Sequence, residues 1–95
     1  MFTVLLSKAT QKDIKRLSID VQKYIYDEIL PSLKSDPRLN AGRLQGELSH
    51  LWKYGFTYNA VAYRIVFEIR DRELIVILFG VGTRENFYKV LLRRI

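Results

Sequence analysis

Apolar residues recur at steps of three and four from Val21 to Leu33 but alternate with a period of two from Leu51 onward, so the chain divides into a helical first part and a stranded later part. Ahead of the helical part, Phe2 to Leu6 alternates weakly and is rich in β-formers, which predicts a first strand. Ser7 to Thr10 is small and polar, and Thr10 followed by Asp13 makes a loose capping pattern for a short helix. Its stripe is thin: Ala9, Ile14 and Leu17 between Lys12, Lys15 and Arg16. Ser18 offers the next N-cap, and Val21, Tyr24, Ile25, Ile29 and Leu33 form the apolar face of a second helix that Pro31 should kink or end. The joint near Ser18 to Asp20 is short, so Gln11 to Leu33 reads as an antiparallel helix hairpin.

Asp36-Pro37 marks a turn, and Arg38 to Glu47 is a polar connector carrying Gly42 and Gly46. In the strand that follows, Leu51, Lys53 and Gly55 point one way and Trp52, Tyr54 and Phe56 the other, with a loop at Thr57 to Ala60. Val61, Tyr63, Ile65, Phe67 and Ile69 then share a core face, opposite Ala62, Arg64, Val66 and Glu68. Arg70-Asp71-Arg72 is a tight polar turn, which pairs Ala60 to Ile69 with Glu73 to Val81 as a hairpin. Leu74 to Val81 is apolar on both faces, as a central strand should be, and Arg84 to Arg94 is a last helix with Phe87, Val90 and Leu91 as its apolar side. The order β-α-α-β-β-β-α predicts an α+β domain over residues 1–95. An antiparallel sheet of about four strands packs against an N-terminal helix hairpin, with a C-terminal helix.

Composition narrows what such a domain can do. At 95 residues there is room for one core and no more. There is no cysteine and His50 is the only histidine, so disulfides, thiolate metal sites, His-rich metal sites and a cysteine–histidine pair are excluded; no metal and no other cofactor is expected. His50 beside Leu51-Trp52 reads as a polar surface residue. Gly80-Val81-Gly82 lacks the third glycine and the lysine of a phosphate loop. No apolar run approaches the roughly 20 residues of a membrane span, and the N-terminus has no signal-type segment, so the expected setting is cytoplasmic, without a membrane partner.

The net charge of +6 is unevenly placed. Residues 38–95 carry ten basic side chains, mostly arginine, against Glu47, Glu68, Asp71, Glu73 and Glu85. Arginine suits bidentate recognition of phosphate or carboxylate, which favours a nucleic acid or an acidic protein segment as partner. Arg64 leaves the less apolar face of its strand, Arg84 sits at the end of the strand beside it, and Lys53 lies on a flanking strand. Arg84 and Tyr88, four apart, would share a helix face. Three cations and a phenol in this arrangement suit a phosphodiester. The same residues could equally form a solvated network, with Arg64 and Arg84 paired to Glu68 or Glu85 and Tyr88 packed.

Four segments carry a resemblance. Leu44-Gln45-Gly46, Leu51-Trp52-Lys53, Ala62 to Phe67 and Val81 to Tyr88, the last with a GxRxxxY pattern, stand in the order and spacing of the RelE/ParE superfamily of toxins from type II toxin–antitoxin systems. The resemblance covers nearly the whole chain. It implies the α+β fold above and, on the RelE-like branch, a ribosome-dependent endoribonuclease that cuts messenger RNA without metal by attack of the ribose 2′-hydroxyl. By position it carries catalytic roles onto Lys53, Arg64, Arg84 and Tyr88. It also implies a cognate antitoxin, the ribosome and messenger RNA as partners. A second strand lysine of RelE-like members has no match here, since Tyr54, Gly55 and Phe56 stand around its place, and the loop at Thr57 to Ala60 looks longer. The alternatives are a ParE-like inhibitor of DNA gyrase, and a fold member of degraded activity that acts through antitoxin binding.

Overall fold

The computed structural model describes residues 1–83 and 87–94. Strand β1 (Thr3–Leu6) leads into α1 (Lys8–Lys15) and α2 (Ile19–Tyr24), which continues through a π-helical turn (Ile25–Ile29) into α3 (Leu30–Ser35). After β2 (Ala41–Arg43) and a 3-10 turn (Gly46–Leu48) come β3 (Trp52–Tyr58), β4 (Val61–Arg70), β5 (Ile75–Thr83) and α4 (Phe87–Arg94). The strands form one sheet in the order β1-β5-β4-β3-β2, so the α+β reading holds.

Two details of the sheet differ from expectation. The connector contributes a short fifth strand, β2, paired antiparallel with β3 from Ala41↔Tyr54 to Arg43↔Trp52; two glycines nearby and a run of only three residues hid it. β1 pairs parallel with β5, the last strand of the chain, which makes the sheet mixed.

Local chemistry explains the helix boundaries. Ser7, rather than Thr10, caps α1: its hydroxyl accepts the Thr10 N–H at 3.1 Å. Thr10 itself is fully buried and donates to the Leu78 carbonyl at 2.9 Å, tying α1 to β5. Ser18 caps α2 as expected. Pro31 does not end the helix. It lacks the N–H that would reach the Asp27 carbonyl, and its ring would strike that carbonyl; the widened turn just before it, where Leu30 N–H reaches back to Ile25 O, absorbs the conflict and the helix runs on to Ser35.

Both faces of the sheet are covered. On one, Tyr63, Ile65 and Phe67 from β4 with Val76, Leu78 and Val81 from β5 pack against Ile14, Val21, Ile25, Ile29, Leu30 and Leu33 of the N-terminal helices. On the other, Val66 is fully buried in a smaller core with Leu44, Leu51, Phe87 and Leu91. Phe87 and Leu91 are four apart and share the buried face of α4, whereas Val90, expected on that face, is 40% exposed.

A bulge at Phe79 separates the two halves of β5. The register runs Phe67↔Leu78 and then Val66↔Gly80, leaving Phe79 as the extra residue. Without that shift Gly80 and Gly82 would share the face of Val76 and Leu78. With it they turn toward α4, where a side chain on either would meet the Phe87 ring.

The β3–β4 connection is tighter than expected. Strands run to Tyr58 and resume at Val61, and Asn59 and Ala60 both take positive φ (49° and 64°), the signature of a two-residue type I′ turn. Asparagine tolerates that region and alanine does not. Ala60→Gly is expected to raise unfolding free energy by about 1 kcal/mol. In a domain of this size that is a rise of roughly 4–8 °C in Tm, checked by thermal denaturation.

Candidate functional site

The α4-facing side of the sheet carries the predicted cations. Register places Lys53 opposite Val66 and Gly55 opposite Arg64, so Lys53 and Arg64 are diagonal neighbours on one face. Arg64 is bracketed on both sides by residues without side chains: Gly55 on β3 and Gly82 on β5. It stands in a trough. The Lys53 stem lies toward β2, with its Cε 3.8 Å from where a Cβ on Gly42 would be, on the side of β3 away from the strand that carries Arg64. Between them opens a cleft of about 480 Å³, lined by both cations together with Asn40, Gly42, Gly55 and Thr57.

Tyr88 closes the other side of Arg64. An Arg64 guanidinium nitrogen (Nη1) donates to the Tyr88 hydroxyl oxygen at 3.1 Å. The phenol oxygen is thereby used as an acceptor, and its own proton remains free for a third group. The Phe87 ring meets the Tyr88 ring edge-on at 5.6 Å and fixes its plane.

Of the four predicted residues the structure joins Arg64 and Tyr88 directly and sets Lys53 on the same cleft. Arg84, like the predicted start of the last helix, lies outside the described residues. Among the described residues, Glu68 is engaged by Arg70 at 2.7 Å and Arg64 turns to Tyr88; Arg84 and Glu85, the other members of the solvated network read from sequence, lie outside them.

Much of the remaining arginine excess is already committed. Arg38 makes a bidentate pair with Asp71 at 3.0 and 2.8 Å, and its guanidinium lies 5.2 Å from the Trp52 ring; Arg43 donates to the Ser49 carbonyl and lies 5.5 Å from the same ring. These two cations belong to the architecture of the β2–β3 end. His50 is exposed, as expected, in a separate polar cleft beside them.

Sequence reasoning missed the pair that holds α4 in place. Arg94 binds Asp13 of α1 through two hydrogen bonds at 2.7 and 2.8 Å. The same carboxylate accepts the Val81 N–H at 3.1 Å, and the same guanidinium donates to the Phe79 carbonyl at 3.1 Å. The hydrogen bonds that Arg94 donates to Asp13 raise its pKa above the ordinary value, against the opposing effect of burial. The residues are 81 apart in sequence with no shared motif, so no local signal announced them. A narrower cleft of about 180 Å³ lies along this seam, but its polar groups are largely spent on the ion pair, which leaves the Lys53–Arg64 trough as the candidate site.

Among the described residues no cluster of His, Cys, Asp or Glu could hold a metal, and no helix is long and apolar enough to cross a membrane. The trough is a cationic site built on a sheet, with the Tyr88 phenol beside it. A family model for ParE-like toxins of type II bacterial toxin–antitoxin systems matches residues 4–91, and the chain belongs to that family.

Its fold is that of RelE. Over 99% of this chain and 97% of the other, it superposes on free Escherichia coli RelE with a TM-score of 0.75 at 20% identity. A chain of the Mycobacterium tuberculosis RelBE2 toxin–antitoxin complex gives 0.75 at 19% identity, covering 87% and 98% of the two chains. The archaeal RelE–RelB complex from Pyrococcus horikoshii gives 0.66 at 16% identity, covering 88% and 96%. No curated protein shows significant similarity to the sequence.

Removing the ion pair should loosen α4. Asp13→Ala strands a largely buried guanidinium and the Val81 N–H, and is expected to cost about 2–3 kcal/mol; Asp13→Asn keeps an acceptor for Val81 and should cost about 1 kcal/mol. Urea unfolding of the two variants measures the difference.

Proposed function

We propose that this toxin is a ribosome-dependent endoribonuclease that cuts messenger RNA without a metal. The observation that carries the reading is the Arg64–Tyr88 hydrogen bond beside the trough that Arg64 shares with Lys53. Cleavage of a phosphodiester by its own 2′-hydroxyl needs a proton acceptor for that hydroxyl, positive charge at the non-bridging oxygens, and a proton for the departing 5′-oxygen.

Lys53 serves as the proton acceptor for the 2′-hydroxyl as its oxygen attacks phosphorus. Arg64 stabilises the charge that builds on the phosphoryl oxygens, and Arg84, placed by its motif, adds a second cation. Tyr88 passes its proton to the 5′-oxygen as the phosphorus–oxygen bond breaks. The products are a 2′,3′-cyclic phosphate and a 5′-hydroxyl. The ribosome supplies substrate already held in one geometry, which offsets the small size of the site.

A cognate antitoxin is the protein partner. Membership of a toxin–antitoxin family supports this, as do the antitoxin complexes of the structural relatives. Leu92 (55% exposed) and Val90 lie among Lys89 and Arg93 on α4, a surface suited to an amphipathic segment with acidic residues.

A second reading is a ParE-like gyrase inhibitor, favoured by the missing second strand lysine, around whose place Tyr54, Gly55 and Phe56 stand. Purified protein added to translating ribosomes, with message ends sequenced, and a parallel gyrase supercoiling assay decide between them. New message ends before any change in supercoiling are expected; intact messages with inhibited gyrase would replace the first reading by the second.

Arg64→Ala is expected to lower the cleavage rate by 10²- to 10³-fold, about 3–4 kcal/mol, with little change in stability. Tyr88→Phe should lose about 10²-fold by removing the proton while keeping the ring. Because the two side chains act as one unit, the double variant should lose less than the product of the single losses in single-turnover assays.

A further inference from the structure

The glycines of the sheet fall into two groups. Gly80 and Gly82 sit tightly under the last helix: a Cβ on Gly82 would lie 3.1 Å from Phe87 Cδ1, and one on Gly80 would lie 3.1 Å from Arg94 Nη1 and 3.4 Å from the Phe87 ring. Gly42 and Gly55 do not. A Cβ on Gly42 would find only Lys53 Cε at 3.8 Å, and one on Gly55 only the Tyr63 carbonyl at 3.7 Å, both ordinary contacts. Neither takes the positive φ that would call for glycine. In a strand a glycine without such a reason weakens the sheet, and it marks a place where another backbone or a ligand comes close.

Both unexplained glycines line one cleft, the trough between Lys53 and Arg64. Ala62, also small and exposed, extends the same floor. β2 stops at Ala41, opposite Tyr54, so residues 55–58 of β3 have no strand on their outer side and the trough is open at that end. Phe56 and Tyr63 also border the cleft, but both rings are buried in the core on the opposite face of the sheet, so the floor itself offers peptide groups.

We infer that Gly42 and Gly55 form a bare seat for the sugar–phosphate backbone of a single-stranded RNA, which crosses β3 between Lys53 and Arg64 with its bases turned away from the sheet. Cations on both walls fit successive phosphates. Asn40 and Thr57, on the same cleft, supply hydrogen-bonding groups for ribose hydroxyls. The inference rests on the ribonuclease reading, since it assigns the substrate path through that site.

The test is an amide-resolved NMR titration with a trinucleotide RNA carrying a 2′-deoxy sugar at the attacking position, which binds without being cut. In the unaltered protein the amides of Gly42, Gly55 and Thr57 should move. Gly55→Val should keep or raise Tm and weaken trinucleotide binding at least tenfold, with Gly55→Ala in between, whereas Gly82→Ala should lower Tm through its clash with Phe87.

The inference is overturned if folded Gly55→Val binds as tightly as the unaltered protein. It is equally overturned if the unaltered protein shows no shifts, or shifts confined to other surfaces. Failure of the parent reading looks different: messages left whole on the ribosome while the trinucleotide still binds at these glycines remove the nuclease and keep the seat. Messages cut normally by Gly55→Val remove the seat alone.

Discussion

The ion pair between Asp13 and Arg94 holds the site together, because it completes an edge that the backbone leaves unfinished. β1 ends at Leu6, yet β5 continues to Thr83, so the Val81 N–H and Phe79 carbonyl lie past the last residue of their parallel neighbour. Those are the donor and acceptor that a further residue of β1 would have taken. Asp13 accepts from one and Arg94 donates to the other, so two side chains from opposite ends of the chain replace a missing stretch of strand. Both groups are mostly shielded from solvent, and each hydrogen bond also satisfies a charge that would be costly to bury alone. Through this contact α4 is fastened at its C-terminal end, and the position of Tyr88 over Arg64 follows from that fastening and from Phe87.

The bulge at Phe79 works with the ion pair. One extra residue leaves the Phe79 carbonyl for Arg94 and rotates Gly80 and Gly82 to the face that receives Phe87. The Gly-Val-Gly segment that might suggest a phosphate loop is therefore a docking groove for the protein's own helix. Its third effect falls on Arg64, whose neighbour Gly82 offers no side chain to cover it. The packing of the last helix and the uncovered side of Arg64 are thus set by the same backbone irregularity.

Charge reads differently in three dimensions. The arginines of the later half form several populations: Arg38 and Arg43 clasp Trp52, Arg70 and Arg94 are held by carboxylates, and Arg64 faces a trough with Lys53. Among the described residues, the last arrangement turns cations toward an open cleft with a phenol beside it. The excess of arginine pointed to an anion partner, and the partition among Trp52, Asp71, Glu68 and Asp13 selects which of those arginines an anion could meet.

Periodicity determined most of the fold. The steps of three and four from Val21 to Leu33 and the alternation from Leu51 to Ile69 each require a particular backbone to bury one face, so those elements were legible along the chain. So were the Ser18 cap, the β4–β5 hairpin and, through the spacing of its segments, membership of the toxin family. The three-residue strand β2, the parallel pairing of β1 and the passage of the helix through Pro31 were not. Each is decided by hydrogen bonds to residues distant in sequence or by a local widening that no period encodes. For the site, strand alternation put Lys53 and Arg64 on one face of the sheet, as the register shows. That Arg64 meets Tyr88, that Lys53 leans toward Gly42, and that Asp13 fastens Arg94 depend on register and on one bulged residue, which exist only once the strands have paired.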